Sequence, residues 1–389
     1  MKKRGKKNVF RLGLTSLFTD ISSEMIFPVL PLFLTTVLNA PMSIVGLIEG
    51  IAEATASFLK LASGWFSDKF GKKKSIVIGG YSLSTITKPI LAVASHWTHV
   101  LGVRFFDRVG KGIRDSPRDA LLAASVNKKT RGKSFGLHRA LDTTGAIIGT
   151  IIAFLLLRLY SGDSFRLIFL LSFIPGVIAV LILIFGVKEK DHKKDHKFKF
   201  NFSKLNSNLK KFLFIIVIFN LANFSYAFFL LRAKNIGVLI SLIPLIYLVY
   251  NLMYAFFSVP AGKISDKIGR KPVLFSGFLL FGLTALGFAF IANRITIWIL
   301  FGLYGLFMAI TEGVSRAFVS DLSNKNIRGT ALGTYHMLVG LTVFPANLIG
   351  GFLWDAINVQ SPFIYAAALS ILSSFLLLFL IKNNHKKAM

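Results

Sequence analysis

The sequence predicts an all-α membrane protein of twelve transmembrane helices in two pseudo-symmetric six-helix bundles. Three observations predict it. Apolar residues make up 54% of the 389 and charged residues only 16%, more apolar surface than one soluble core hides. The apolar residues fall in successive runs of roughly 20, each long enough to span a bilayer. And one short pattern occurs twice, once in each half. Gly64-Trp65-Phe66-Ser67-Asp68-Lys69-Phe70-Gly71-Lys72-Lys73 is matched by Gly262-Lys263-Ile264-Ser265-Asp266-Lys267-Ile268-Gly269-Arg270-Lys271, with the aspartates 198 residues apart. Each copy sits where one apolar segment ends and the next begins, as in chains built from two related halves.

The spans read roughly 10–38, 42–63, 75–95, 98–122, 134–158, 165–187, 212–231, 238–261, 272–292, 295–320, 330–353 and 358–381. The basic start, Met1 to Lys7, leads into an apolar stretch too long for a signal-peptide core. Cysteine is absent, which excludes disulfides and thiolate metal sites. The net charge of +29 invites a nucleic-acid partner, but its location argues against one. The termini and the loops on their side hold 32 of the 46 Lys and Arg, and the opposite face holds five: Arg158, Arg166, Arg232, Lys234 and Arg294. That asymmetry is topogenic and expects both termini in the cytoplasm, with the chain in the cytoplasmic (inner) membrane. Residues 188–211 form the one long polar segment, with nine Lys and three acids, and read as a cytoplasmic basic linker between bundles 1–187 and 212–389. Its His192 and His196 read as part of a solvated linker rather than as metal ligands.

The duplication reaches beyond the loop. Arg131-Gly132 and Arg328-Gly329 stand 197 residues apart, as do Gly136 and Gly333, and Arg118 and Arg316 match with a one-residue slip. On twelve spans, a six-plus-six repeat, a central basic loop and the repeated G-x-x-S-D-K-x-G loop, the chain resembles the major facilitator superfamily. The resemblance covers nearly the whole chain. It implies a pseudo-two-fold bundle whose halves rock around a central cavity lined by helices 1, 4, 7 and 10. It also implies that the loops latch the halves on the cytoplasmic side. The gate residues carried over are Gly64, Asp68, Lys69, Gly71, Lys72 and Gly262, Asp266, Lys267, Gly269, Arg270. Lys72 stands where the family often has Arg, which weakens bidentate pairing there. From the residues alone, the glycines permit a tight turn or close approach. The aspartates can accept backbone N–H bonds at a helix start or pair with neighbouring cations.

Charges within the spans carry the chemistry. Nine acids, Asp20, Glu24, Glu49, Glu53, Asp107, Asp115, Asp119, Asp142 and Glu312, face nine bases in or at the ends of spans, and eight of each sign lie in the first half. Charged groups in a bilayer face the protein interior and mark function by default. Asp20 and Glu24 are four apart, hence on one face, and Asp20 lies ~15 Å deep at a rise of ~1.5 Å per residue. Glu49 and Glu53 repeat that spacing on the second span. Paired acids repel unless one is protonated or both are ion-paired, so proton coupling and permanent salt bridges with Arg104, Arg108 or Arg139 are both open. Proton-coupling candidates are therefore Asp20, Glu24, Glu49, Glu53, Asp107, Asp142 and His138. On the fourth span Arg104, Arg108 and Lys111 share a face, and Arg108-x-x-x-Gly112 resembles the superfamily's helix-4 motif, with Lys111 in place of the usual Gln. On the fifth, His138 and Asp142 are four apart, which allows a relay or a structural His–Asp hydrogen bond. Gly145-x-x-x-Gly149 lacks the proline and paired glycines of the superfamily's drug–proton antiporters and reads as helix packing. Lys88-Pro89 on the third span reads as a kink facing inward. Substrate-binding candidates are Arg104, Arg108, Lys111, Arg139, Asn220, Asn223, Glu312 and Arg316, with Tyr226, Tyr247 and Tyr254 beside the asparagines.

These readings converge on a secondary active transporter of a small solute, working by alternating access with protons as the coupling ion. Efflux of a drug or metabolite is slightly favoured. An uptake symporter for an organic anion or a metal chelate, using the arginines as ligands, stays open, as does a non-transporting sensor or scaffold. No enzyme constellation, cofactor motif or metal-ligand pattern stands out. The expected partners are the solute, protons and the lipid bilayer, with no nucleic acid, and the chain is expected to be a monomer.

Overall fold

The structure, a computed structural model, describes residues 3–70, 73–126, 130–160, 164–189, 206–291, 293–324 and 327–381. Among them there is no strand. The α-helices are α1 (Lys3–Ile26), α2 (Leu30–Thr36), α3 (Met42–Phe70), α4 (Lys73–Thr87), α5 (Trp97–Ala124), α6 (Arg131–Leu159), α7 (Ser164–Leu171), α8 (Phe173–Leu181), α9 (Ser207–Ala222), α10 (Tyr226–Asn235), α11 (Ile243–Ile268), α12 (Arg270–Phe290), α13 (Thr296–Asp321), α14 (Arg328–Ala356) and α15 (Ser361–Leu380). Each of the twelve expected spans is one helix or an interrupted pair. Most of the 188–211 segment, with His192 and His196, lies outside the described residues. Asn206 opens α9 by accepting the Leu209 N–H at 2.7 Å.

The interruptions have local causes. Pro28 has no N–H to donate, so the first span breaks between α1 and α2. Pro89 follows Lys88 at the end of α4, and the chain tightens there into a 3₁₀ turn over Lys88–Val93, the kink expected from the sequence. Between α9 and α10 the helix opens at Asn223–Ser225, and the freed Ser225 N–H is taken by buried Asn347 Oδ1 of α14 at 2.9 Å. Eleven of the segments among the described residues are long and apolar enough to cross a membrane. The remaining one, α5, is just as long at 28 residues but carries eight charged side chains.

The helices cluster into two compact units. One comprises Met1–Phe198 with Ala233–Leu248, the other Lys199–Arg232 with Val249–Met389. In the first unit α1 packs along α6, and α5 packs against both α3 and α4. Small residues set these distances. A Cβ added at Gly145 would fall onto the Leu17 carbonyl oxygen, and one at Gly149 would stand 2.5 Å from that of Ile21. Gly80 and Gly110 bring α4 and α5 together in the same way. In the second unit α12 packs on α13 and α15, around rings rather than charges. Phe219 stacks on Phe278 at 4.0 Å between centroids, Phe281 on Phe307 at 4.4 Å, and Phe229 on Tyr304 at 4.4 Å.

The internal repeat extends to hydrogen bonds. Lys74 Nζ donates to the Ile184 carbonyl at 2.8 Å, and Lys271 Nζ donates to the Ile381 carbonyl at 2.7 Å. Both members shift by 197 residues. Likewise Asn8 Nδ2 reaches Ser125 Oγ at 3.3 Å and Asn206 Nδ2 reaches the Leu322 carbonyl at 2.5 Å. In each unit a lysine opening the third span thus satisfies a carbonyl near the end of the sixth, a group that a helix end leaves without an intrahelical partner.

Gly145→Ala should destabilise the protein by about 1–3 kcal/mol, the cost of overpacking a tight helix contact. Gly136→Ala on the same helix, where nothing lies within 4 Å of the added Cβ, should leave the thermal midpoint unchanged or raise it. Unfolding scans of the detergent-purified variants compare the two.

Candidate functional site

The charges of α5 are neutralised mainly by α3. The two helices share a four-residue spacing, Glu49 and Glu53 on one, Arg104 and Arg108 on the other, and form two rungs. Arg104 Nη2 meets Glu49 Oε1 at 2.7 Å, and Arg108 Nη2 meets Glu53 Oε1 at 3.1 Å. Gly112 admits this approach, since a Cβ there would lie 2.6 Å from Leu59 Cβ. Asp107 sits between the arginines, 3.8 Å from Arg104 and 4.0 Å from Arg108. The Phe27 ring, at the break after α1, lies against both guanidinium groups, 5.3 and 4.8 Å from its centroid. That geometry adds cation–π attraction at a buried site. Arg104 and Glu49 are each 2% exposed, so breaking the pair would strand a charge. Further along α5, Asp115 pairs with Lys60 at 3.6 Å and with Arg118 at 3.7 Å, and Arg114 donates to Ser84 Oγ at 2.6 Å.

The α1–α6 contact holds a different arrangement. Asp142 Oδ1 accepts from Ser16 Oγ at 2.5 Å, and its Oδ2 meets Arg139 Nη1 at 2.8 Å. Asp20, one turn beyond Ser16 on α1, lies beside the same carboxyl group. Carboxylates only accept, so two side by side repel unless a proton is shared between them. Asp20 thus has Asp142 of α6 beside it as well as Glu24 of its own helix. His138 makes no hydrogen bond to Asp142. Its Nε2 is buried without a partner among the described residues, and the aspartate is bonded to Ser16 and Arg139 instead. Glu24 lies near Tyr247, and its Oε2 is buried with no partner among the described residues. Lys111, one turn beyond Arg108 and half-buried, makes no hydrogen bond or ion pair to them either. Lys88, only 3% exposed, donates to Ser22 Oγ at 2.7 Å and Ser23 Oγ at 3.1 Å.

In the second unit the repeated loop is fully described. Gly269 ends α11 at φ +96°, a conformation that favours glycine. Gly262 has open space around it, so close packing does not require a glycine there. Asp266 lies in the last turn of α11 rather than at a helix start, and it binds a side chain rather than backbone N–H groups. Its partner Arg270 reaches Asp266 at 2.6 Å, Asp321 at 3.1 Å and Ser265 Oγ at 2.5 Å. Lys267 is exposed. Nearby, Glu312 accepts from both Arg316 and Tyr254 OH. These groups line a cavity of about 330 Å³ between α11 and α13. Asn220 is buried and donates to the Ile216 carbonyl of its own helix at 2.8 Å, and Asn223 ends α9. In the first copy of the loop, Gly64, Asp68 and Lys69 fall in the final turns of α3, while Gly71 and Lys72 lie outside the described residues.

Several partners escape a reading of the sequence. Ser16, Ser22, Ser23 and Phe27 lie on or just after α1 and look like filler in an apolar run. The one available signal is their position on the same span as Asp20 and Glu24. Tyr254 stands out in the sequence as an aromatic lining group, not as the partner of Glu312.

The sequence profile of the Major Facilitator Superfamily matches residues 12–233 and 212–388. An uncharacterized MFS-type transporter from Methanocaldococcus jannaschii is 42% identical over 382 residues, 96% of this chain and 95% of that protein. The class E tetracycline resistance protein of Escherichia coli is 31% identical over 155 residues, 39% of this chain and 36% of that one. Among solved structures, the nucleoside transporter NupG superposes with a TM-score of 0.80 at 14% identity, covering 96% of this chain and 99% of that one.

Arg104→Ala should destabilise the protein by about 3–5 kcal/mol, because it leaves Glu49 buried and unpaired. Arg270→Ala, at a partly exposed pair, should cost about 1 kcal/mol or less. Pairing Arg104→Ala with Glu49→Ala should recover part of the loss. Thermal unfolding of the four proteins measures this, and equal effects of the two arginines would show that the rungs do not hold α5.

Proposed function

Because the chain belongs to the major facilitator superfamily, we propose that it is a proton-coupled secondary transporter in which Asp20 and Asp142 form the coupling pair. The observation that carries this reading is the placing of Asp20 beside Asp142 where α1 and α6 pack closely, with Asp142 bonded to Ser16 one turn before Asp20. One proton shared between two adjacent carboxyl groups removes their repulsion. Losing it sets two negative charges against each other at a tight helix contact, and gaining it relieves them. A proton therefore changes the relative stability of two packings of α1 on α6, which is what alternating access requires of a coupling ion. The acids of α3 and α5 suit this role less well, since Glu49 and Glu53 each face an arginine.

Efflux of a drug or metabolite is the direction we favour. The partial match to a tetracycline resistance protein supports it. The pairing of Arg104 and Arg108 also argues against uptake of an organic anion or metal chelate, for which both would have to serve as ligands. The loop charges support cytoplasmic termini in the cytoplasmic membrane. In that orientation the Arg270–Asp266–Asp321 cluster belongs to the cytoplasmic gate, together with the first copy of the loop.

Reconstituted vesicles test this. An imposed pH gradient should raise the initial rate of tetracycline flux. Asp20→Asn and Asp142→Asn should abolish that acceleration while leaving gradient-free exchange. Flux indifferent to the gradient in the wild type would overturn the coupling, and no tetracycline flux at all would remove the drug reading.

A further inference from the structure

We infer that Glu24 and Lys111 form a subsite for a zwitterionic solute, with Glu24 receiving its amine and Lys111 its carboxylate. The inference rests on the transport reading above and names the solute class of that transporter.

It follows from what the other charges do. Every other cation of α5 has a bonded partner: Arg104 with Glu49, Arg108 with Glu53, Arg114 with Ser84, and Arg118 with Asp115 and Asp119. Among the described side chains of α1, α3 and α5, the other carboxylates of α3 and α5 are engaged with cations, and Asp20 stands beside Asp142 in the proposed coupling pair. Lys111 has no hydrogen bond or ion pair to the described residues, and Glu24 Oε2 has no partner among them. The two lie within electrostatic reach of each other across α1 and α5, yet they do not pair. Lys111 also faces Glu53, itself paired with Arg108.

Half-buried ionic groups without partners are costly, and a satisfied network is far better than one partly satisfied. A simple amine would complete Glu24 and leave Lys111 as it is. A simple carboxylate would do the reverse. A molecule with both charges completes both, with the Tyr247 side chain near Glu24. Glu24 Oε2 is enclosed in this conformation, so binding turns the side chain toward the ligand.

Thermal stabilisation of the purified protein tests the assignment, since a ligand raises the midpoint according to its affinity. The probes are glycine, 4-aminobutyrate and 6-aminohexanoate, set against butylamine and butyrate at equal concentration. At least one aminocarboxylate should stabilise the wild type and the folded control Gly136→Ala, and the monofunctional compounds should not. Glu24→Gln and Lys111→Met should each weaken the effect at least tenfold. Lys111→Glu should shift the preference to 1,4-diaminobutane, a gain that a misfolded variant cannot mimic. Stabilisation by butylamine or butyrate as strong as by any aminocarboxylate would overturn the assignment. So would no response to any aminocarboxylate, or unchanged affinity in both single variants. Gradient-independent flux in vesicles would remove the coupling pair and leave this subsite standing, so the two readings fail separately.

Discussion

A charge in a lipid bilayer must find an opposite charge or a strong hydrogen bond within the protein, and the first unit is organised by that requirement. Eight charged residues on α5 would not cross a membrane alone. They do so because α3 presents acids at the matching spacing and because glycines let the backbones approach closely. Phe27 caps the arginine pair, and the break at Pro28 puts its ring there. The position of α3 follows from these rungs, and through α4 and its serine so does that of the third span.

Much of this is legible in the sequence. Span count and the repeat follow from hydropathy and the duplicated loop, because both are linear patterns. The Lys88-Pro89 kink is legible because proline acts locally. What stays hidden is the choice of partner. A spacing of four says that Asp20 and Glu24 share a face, but not that Asp142 of another helix sits opposite one of them. That depends on how closely α1 and α6 meet, which Gly145 and Gly149 set. His138 illustrates the same point. Its spacing to Asp142 suits a hydrogen bond, yet the aspartate takes its bonds from Ser16 and Arg139 instead. The repeat places Asp266 in the right loop, but whether it lies at a helix start or a helix end depends on a single glycine at φ +96°.

The two units share a scaffold and differ in filling. The bonds that repeat, from Lys74 and Lys271 or from Asn8 and Asn206, each involve a helix end. They are indifferent to what fills the helix faces between. That leaves one unit free to carry ion pairs and the other free to carry stacked rings on the same chain path. The proposed coupling pair and subsite both fall in the ionic unit, where protons and charged solutes have something to act on.

The contrast in filling has an evolutionary consequence. In the second unit Phe can be exchanged for Leu, Met or Tyr one position at a time, each step a modest change in packing. In the first unit, a change at Arg104 or Glu49 passes through an intermediate with a bare charge in a dry interior. Such positions drift only in concert. Across descendants of this chain, the ionic half should change slowly and in linked pairs, while the aromatic half changes quickly and independently. Two parts of one duplicated gene would then keep different evolutionary clocks.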